Sequence, residues 1–398
     1  MVMNLSYFDA VLKDIYLGPI RDNLNNATIL MNRINKTSEF VDASGRYIYT
    51  PLKRANNQGV GARGDRGALP TAGYNKISQS RTSIRHNYGR IEITGVTIRA
   101  SKNDKGAFTK AVDLEVNGMV ESLKKDINRQ FICGDSYGPL ATVDTVPSSV
   151  TLTVKNPGGM TTTKSPTMFI KEGMLLDVYT GTNATTASVS VTSVNESTGV
   201  ITTSTHGATI GDVLYRQGSY GIEMMGLKGI IDDGTVVDTL QNIQSSTYTF
   251  WQSKRFHNSG TARDVTPAIM QDAYTACEKQ GEPASLILVS FEIRDAYANS
   301  LVNMRRIVNT LKLDGGWEGL DYNGKPVTAD VDCPAGSMFF VNEGQLCVNR
   351  VSDFAWGDED GRILKYVPGY DSYEAFLYYD AELTTFRRNS HSVIYDLQ

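Results

Sequence analysis

Apolar side chains between residues 107 and 132 recur every three or four positions. They are Phe108, Val112, Val116, Met119, Leu123, Ile127 and Phe131. Because an α-helix repeats about every 3.6 residues, this spacing predicts one amphipathic helix of about 37 Å, ended by Gly134 and Asp135. Gly118 lies inside the helix and costs up to about 1 kcal/mol relative to Ala, so it marks either a close backbone crossing or a tolerated glycine.

Residues 1–45 are predicted to form an N-terminal arm. The helical spacing of five apolar residues predicts a short helix that ends at Gly18 and Pro19. These residues are Leu5, Phe8, Val11, Leu12 and Ile15. The arm has little core of its own.

The next segment, residues 46–100, is predicted to be one long protruding β-hairpin. Strand character at residues 46–52 gives way to a glycine-rich stretch at residues 56–67 that has almost nothing to bury. Alternation of apolar and polar residues returns weakly at residues 77–86 and strongly at residues 91–98. Such a long loop with a polar tip is uncommon in a compact domain, and it indicates a segment that lies on a partner's surface.

Residues 150–217 are rich in Thr, Ser, Val and Gly and predict a small all-β domain. The expected strands are residues 150–154, 175–179, 189–194, 200–203 and 213–216. Short, evenly spaced strands are typical of a small barrel or sandwich, and mixed α and β patterns resume directly afterwards. We therefore expect an insertion into a domain that comprises residues 101–149, with the long helix, and residues 218–265.

A compact domain of alternating strands and helices is predicted at residues 266–348. Thr266 and Pro267 supply an N-cap and a first-turn proline for a helix that ends near Gln280. A buried strand at residues 285–289, a helix at about residues 292–302, an Asn323-Gly324 hairpin turn and a strand at residues 337–341 follow. In the remainder, residues 349–398, an aromatic-rich alternation at residues 373–395 predicts a long strand that returns to the first domain.

Composition is that of an ordinary globular protein, with 398 residues, 40% hydrophobic and 21% charged. No apolar run approaches the roughly 18 residues that span a bilayer, and Asp9, Lys13 and Asp14 lie where a signal peptide would be apolar. The four cysteines show no CxxC spacing and lie among apolar residues, which favours buried thiols in a reducing cytosol. We therefore expect no membrane association and no export.

The net charge of −4 is unevenly distributed. Residues 46–105 contain twelve Lys or Arg against three acidic residues, a local balance of +9, which leaves −13 for the rest. Such a segment binds either nucleic acid or the acidic surface of an identical neighbour. Aromatic stacking residues are sparse there, whereas arginine pairs well with carboxylates, so we favour contacts between subunits. The expected contact residues are Arg54, Arg63, Asp65, Arg66, Lys76, Arg81, Arg85 and Arg90.

Motifs that carry catalysis are absent from the sequence. It has no P-loop, GxSxG elbow, HExxH helix, dinucleotide-binding glycine set or EF-hand loop. The four histidines have no second ligand at metal spacing, so we expect surface or interface imidazoles. They are His86, His206, His257 and His391. We assign no catalytic residue, no metal and no cofactor, and we expect a protein that is not an enzyme.

The order of these segments resembles the Hong Kong 97-type capsid fold of tailed bacteriophages over nearly the whole chain. Four local stretches resemble parts of those proteins: residues 129–135 (RQFICGD), 223–232 (EMMGLKGIID), 322–327 (YNGKPV) and 334–340 (PAGSMFF). The first is similar to the end of their spine helix, and the last two are similar to the hairpin and strand of their axial domain. Each stretch alone is a weak signal, and the resemblance rests on the order in which the four stretches occur.

The resemblance implies an α+β fold with an N-arm, a long E-loop hairpin at residues 46–100, a spine helix, peripheral and axial domains, and the inserted β domain. Residues 101–149, 218–265 and 349–398 would form the peripheral domain, and residues 266–348 the axial domain. It further implies a major capsid protein whose pentamers and hexamers close an icosahedral shell around double-stranded DNA, with each E-loop on a neighbouring subunit. The protein would reside in the virion after assembly in the host cytoplasm.

The resemblance also bears on partners and on covalent linkage. Scaffolding, portal and decoration proteins are possible partners, and DNA would be contacted non-specifically at the inner surface. Some relatives crosslink their shells through a lysine–asparagine bond, but the tip here presents Arg63 and Arg66, which are poor nucleophiles. Lys53 and Lys76 flank the tip. We expect a shell without covalent crosslinks.

Two other functions remain open from the sequence. The Thr-rich insertion is compatible with a secreted or surface β-rich adhesin, although the long helix and the missing export signal argue against it. A carbohydrate-active enzyme with paired carboxylates is a further alternative, although no acid pair stands out in a recognisable setting.

Overall fold

The computed structural model describes residues 29–42, 44–96, 105–303, 310–312, 318–358 and 361–398. The helix predicted near the N-terminus lies outside the described residues. Helices in the described part are α1 (Ile29–Arg33), α2 (Lys105–Cys133), α3 (Leu227–Ile230), α4 (Pro267–Glu278) and α5 (Phe291–Asn303). Helix α2 is the long amphipathic helix that the apolar spacing predicts, and its side chains from Val116 to Phe131 at that spacing are buried or half-buried.

A five-stranded sheet packs against α2. In it β1 (Asn35–Thr37), β19 (Leu346–Trp356), β21 (Ser372–Thr385) and β20 (Lys365–Tyr366) are neighbours in that order. The strand β4 (Arg85–Thr94) pairs with residues 372–381 along the opposite edge of β21. The strand β21 forms most of the aromatic-rich C-terminal segment for which a long strand was predicted. Its 14 residues bridge the sheet because they pair with both β19 and β4.

Two glycines show how α2 approaches this sheet. A Cβ added at Gly89 on β4 would lie 2.9 Å from the Met119 sulfur, so the missing side chain permits the close packing of strand and helix. Around Gly118, in contrast, an added Cβ would meet nothing within 4 Å. Gly118 is therefore a tolerated glycine and not a backbone crossing.

The hairpin is shorter than residues 46–100. It consists of β2 (Tyr47–Ala55) and β3 (Lys76–Ser83), which pair antiparallel. The segment expected to complete its second arm is β4, which belongs to the five-stranded sheet. The alternation of apolar and polar residues cannot tell whether this strand pairs within the hairpin or within the five-stranded sheet, because Gly89, Ile91 and Ile93 would point to one side in either arrangement. In the structure this side of β4 faces α2.

A closed barrel of six strands forms the inserted β domain. Its order is β10 (Val213–Arg216), β5 (Pro139–Ser148), β6 (Thr151–Lys155), β9 (Val200–Thr203), β8 (Asn183–Asn195) and β7 (Leu175–Thr180), which pairs again with β10. The barrel therefore begins at Pro139 and not at residue 150. Its first strand escaped prediction because its first three residues are all buried and show no alternation.

A seven-stranded sheet carries α4 and α5. Its order is β13 (Lys254–Phe256), β22 (Ser392–Ile394), β18 (Met338–Val341), β14 (Leu286–Val289), β17 (Lys325–Ala329), β16 (Glu318–Tyr322) and β15 (Thr310–Lys312). This domain was expected to comprise residues 266–348, but β13 and β22 extend its sheet from outside that range. Three residues are too few to show a period, so β13 was not predicted. Residues 392–394 were expected to belong to the long C-terminal strand of the first domain, which was wrong because they form the separate strand β22 in this sheet.

Buried cysteines and histidines complete the core. All four cysteines are free and buried, as expected. The expectation of surface histidines is wrong for His206 and His391, which are 7% and 1% exposed. His391 Nδ1 accepts the Asn342 backbone N–H at 3.1 Å, and burial lowers the pKa of His391 to about 3, so it is a neutral core residue.

Candidate interaction surface

The lower half of the hairpin is part of the body of the protein. Leu52, Thr50 and Ser80 are buried, and the Ser80 hydroxyl donates to the Thr50 carbonyl at 3.1 Å. The Tyr49 N–H donates to the Phe40 carbonyl at 2.8 Å, which ties β2 to the preceding segment. These contacts give the hairpin a rigid base.

A second attachment comes from a small ribbon formed by β11 (Thr239–Leu240) and β12 (Ile243–Gln244). The Arg81 backbone N–H donates to the Gln241 carbonyl, in the turn of this ribbon, at 3.0 Å. The Arg81 guanidinium lies 5.0 Å from the ring centre of Tyr47, and the Arg54 guanidinium lies 5.1 Å from that of Tyr248. Two predicted contact residues, Arg54 and Arg81, thus have cation–π partners within the chain while remaining exposed.

Residues 56–75, here called the tip, contain no strand, and all of them are exposed except Gly59 and Pro70, which are half-buried. Val60, Leu69 and Tyr74 each expose more than three quarters of their surface, and Ile77 beside the tip is 68% exposed. The exposure of four large apolar side chains on one projection is unusual for a surface that remains in water. Such a surface is typical of one that another protein covers.

The charges at the tip have no ion-pair partner among the described residues. The Arg63 guanidinium donates only to the carbonyls of Ala62 and Ala68, both at 2.9 Å. Asp65, Arg66 and Lys76 are exposed, and Arg66 has a left-handed φ of 61° in the turn at the end of the tip. Three cations are therefore presented beside apolar side chains on a projecting element.

Arg85 and Arg90, the other two predicted contact residues, lie on β4 and not on the hairpin. Arg85 Nη2 donates to the Ser136 hydroxyl at 2.7 Å, and Arg85 Nε lies 3.5 Å from the buried Glu382 carboxylate. Burial raises the pKa of Glu382 to about 8. Arg90 forms an ion pair of 2.7 Å with Glu374 on β21. Both arginines have partners in their own sheet domain, so the structure separates them from the tip cluster.

A cleft of about 840 Å³ lies between β4, α2 and the end of the barrel. Asp126, Glu223 and Arg216 line this cleft. The buried Arg129 Nη2 donates to both oxygens of Glu223 at 2.7 Å and to Asp126 at 3.0 Å, and Arg216 of the barrel lies 3.1 Å from Asp126. Burial raises the pKa of Glu223 to about 7 against the effect of Arg129. Burial also opposes the charge of Arg129, but Glu223 and Asp126 outweigh it and hold the pKa of Arg129 above its usual value.

This arrangement is structural and does not resemble a catalytic acid pair. Glu223 and Asp126 share one arginine, whereas a glycoside hydrolase needs two carboxyl groups that face a substrate from separate positions. Among the described residues no group of three His, Cys, Asp or Glu side chains is placed to hold a metal ion. Within the same part of the chain, no helix is long and apolar enough to cross a membrane.

Sequence reasoning identified the cations of the tip but missed its apolar side chains. Val60, Leu69 and Tyr74 are isolated among Gly, Asn and Arg, so no periodicity marks them. The signal that could have identified them is that they occur in a segment too polar and glycine-rich to form a hydrophobic core. Large apolar residues in such a segment are exposed unless a partner covers them.

No protein-family model matches the chain, and no curated protein matches it. A chain of the cyanophage A-1(L) capsid asymmetric unit aligns over 95% of this chain and 93% of its own length, at 16% identity and a TM-score of 0.55. A Mycobacterium phage Adephagia chain covers 93% and 90%, at 8% identity and a TM-score of 0.47. The encapsulin of the holo-SrpI complex from Synechococcus elongatus covers 93% and 87%, at 10% identity and 0.45.

The similarity to the cyanophage chain extends over almost the whole of both proteins. At 16% identity it shows the fold and not the function. The chain therefore has an α+β fold of the phage-capsid type, which confirms the fold class that the sequence resemblance implied.

Proposed function

We propose that this protein is the major capsid protein of a tailed bacteriophage, and that it assembles into the hexamers and pentamers of an icosahedral head around double-stranded DNA. The observation that carries the proposal is the tip, which presents apolar side chains and unpaired cations on a capsid fold. The tip has too little apolar surface of its own to form a core. It gains order by lying on an adjacent subunit.

The energetics of the tip support repeated contacts between subunits. Burying a large apolar side chain contributes roughly 1.5–3 kcal/mol, so Val60, Leu69 and Tyr74 together contribute several kcal/mol, partly offset by the ordering of the chain. One such contact is modest. In a closed symmetric shell every subunit makes it, and the contacts reinforce one another because each subunit is held from several sides.

Charge adds specificity to these contacts. Arg63 and Arg66 can form bidentate pairs with carboxylates, and the residues outside 46–105 carry a net charge of −13. We propose acidic groups of a second copy as their partners. Lys76, Asp65, Arg54 and Arg81 would lie at the edge of the same contact, whereas Arg85 and Arg90 stabilise their own subunit.

The same proposal covers the remaining partners. DNA would be contacted non-specifically at the inner surface, and scaffolding, portal and decoration proteins would join during assembly. The shell would be non-covalent because arginine, and not lysine, occupies the tip. The protein would reside in the virion after assembly in the host cytoplasm, and it would have no catalytic activity.

Variants of the tip test the proposal. Deletion of residues 59–67, and separately Arg63→Glu with Arg66→Glu, should abolish particles that sediment as shells or capsomers while leaving a folded subunit. The matched control is Lys164→Glu with Lys171→Glu, which reverses two exposed charges on the barrel. Normal particle yield from both tip variants would contradict the proposal. Recovery of the intact chain outside particles, on a cell surface, would instead favour an adhesin.

A further inference from the structure

The end of α2 meets the seven-stranded sheet domain at a buried amide. Asn128 is 6% exposed, and its Nδ2 donates to Asp330 Oδ1 at 2.9 Å and to Asp332 Oδ2 at 2.6 Å. Both aspartates lie in the turn that follows β17. Two elements from different domains are therefore joined through one side-chain nitrogen.

The turn itself is well ordered by hydrogen bonds. The Asp330 N–H donates to the Val289 carbonyl at 3.0 Å, and the Asp332 N–H donates to Asp330 Oδ1 at 2.9 Å. The Cys133 thiol at the end of α2 lies 3.8 Å from the Asp332 carbonyl. Because the turn is held from both sides, the carboxyl groups of Asp330 and Asp332 cannot easily move apart.

The two carboxyl groups differ from the other acidic groups at domain contacts. Glu223, Glu382 and Asp135 each have an arginine or lysine partner within 4 Å. Among the described residues no cation lies within that distance of Asp330 or Asp332. Two negative charges that share one neutral donor repel each other in a site of low polarity.

We propose that Asn128, Asp330 and Asp332 form a pH-sensitive clasp between α2 and the seven-stranded sheet domain. The clasp is closed when one of the two carboxyl groups is protonated, and it loosens when both are ionised. A shared proton removes the repulsion and leaves the amide with one charged acceptor and one neutral acceptor.

Among the described residues, nearby charged side chains influence the carboxyl groups of Asp330 and Asp332 without pairing with them. On α2, Lys125 and Arg129 act on Asp332 through space, but Lys125 pairs with Glu121 and Arg129 with Glu223. The thiols of Cys133 and Cys333 and the carboxyl of Glu292 on α5 lie on the other sides of the turn. Burial raises the pKa of Asp332 to about 6, with a further rise from Asp330, and it raises the pKa of Asp330 as well.

The raised pKa values of Asp330 and Asp332 determine how the stability of the clasp depends on pH. A carboxyl whose pKa is raised in the folded protein stabilises the clasp fully below its unfolded pKa of about 4. That contribution is lost as the pH rises through about 6. A shift of about two pKa units corresponds to a change of up to about a hundredfold in the opening equilibrium.

Hydrogen exchange of the full chain, kept in one assembly state from pH 5 to pH 7.5, tests the clasp. After correction for chemical exchange, opening at the end of α2 and in the turn after β17 should increase by about tenfold across this range. Asp332→Asn, which is permanently neutral, should reduce that increase to less than about threefold. Asp272→Asn, an exposed acid on α4, should leave it unchanged.

Three results would overturn the proposal. The first is opening that does not depend on pH in the unmodified chain. The second is a pH dependence of opening that is unchanged in Asp332→Asn, and the third is an equal loss of that pH dependence in Asp272→Asn. If Asp332→Asn does not fold, Asp330→Asn provides the same comparison. Failure of both to fold would also contradict the proposal, because a neutral amide should replace a protonated carboxyl.

Discussion

Replacing Arg129 with Met removes a buried cation from between two carboxylates at the end of α2. The guanidinium is 2.7 Å from both Glu223 oxygens and 3.0 Å from Asp126. Asp126 keeps Arg216 at 3.1 Å, whereas Glu223 loses its only ion-pair partner among the described residues. The variant therefore leaves one buried carboxylate without a cation.

Breaking a buried ion pair from one side costs about 3–5 kcal/mol of unfolding free energy. The cost should depend on pH, because protonation of Glu223 removes the uncompensated charge. The pKa of Glu223 is already raised to about 7, and loss of Arg129 raises it further. We therefore expect the full cost at pH 8 and roughly half of it or less at pH 5.5.

Urea unfolding, followed by far-UV circular dichroism at both pH values, measures this cost. Lys125→Met on the same helix is the matched control, because its ion pair with Glu121 is exposed and should contribute nothing measurable. Adding Glu223→Met to Arg129→Met should recover most of the stability by removing the stranded charge. Equal midpoints for Arg129→Met and Lys125→Met at pH 8 would refute this reasoning, as would a cost that is the same at both pH values.

Other predictions concern glycines and thiols. Gly134→Ala should destabilise by about 3 kcal/mol or more in thermal unfolding, because the new Cβ would lie 2.3 Å from the Gln130 carbonyl oxygen. Gly118→Ala should stabilise by up to about 1 kcal/mol, because space around it is open and Ala favours helix; a lower melting temperature would contradict this. The four thiols should resist a disulfide reagent until the protein unfolds, since all are buried and burial raises the pKa of Cys277 to about 11. Rapid reaction of any thiol in the folded chain would contradict the described core.

Much of the fold could be predicted from the local periodicity of apolar residues. The α2 helix and most barrel strands were predictable because their apolar residues alternate or repeat within one short segment. The role of residues 85–94 was not, because it depends on pairing with residues 372–381, which are nearly three hundred positions away. For the same reason β13 was missed and β22 was assigned to the long C-terminal strand, since only pairing across the domain defines these two strands.

The interaction surface was predicted in part. Net charge located the basic segment, and the glycine-rich composition located the tip. Which cations remain free could not be known, because Arg85 and Arg90 are paired by residues of β21 that lie far away in the sequence. The buried position of His391 was hidden as well, since its neighbours in the sequence are polar.

Negative-stain electron microscopy combined with sedimentation tests the central claim most directly. The full chain would be purified after expression alone and together with the genes that flank it. Closed shells or rings of five or six subunits are the result that we predict. A monomer that persists under every condition, with the tip intact, would contradict the account of a capsid protein.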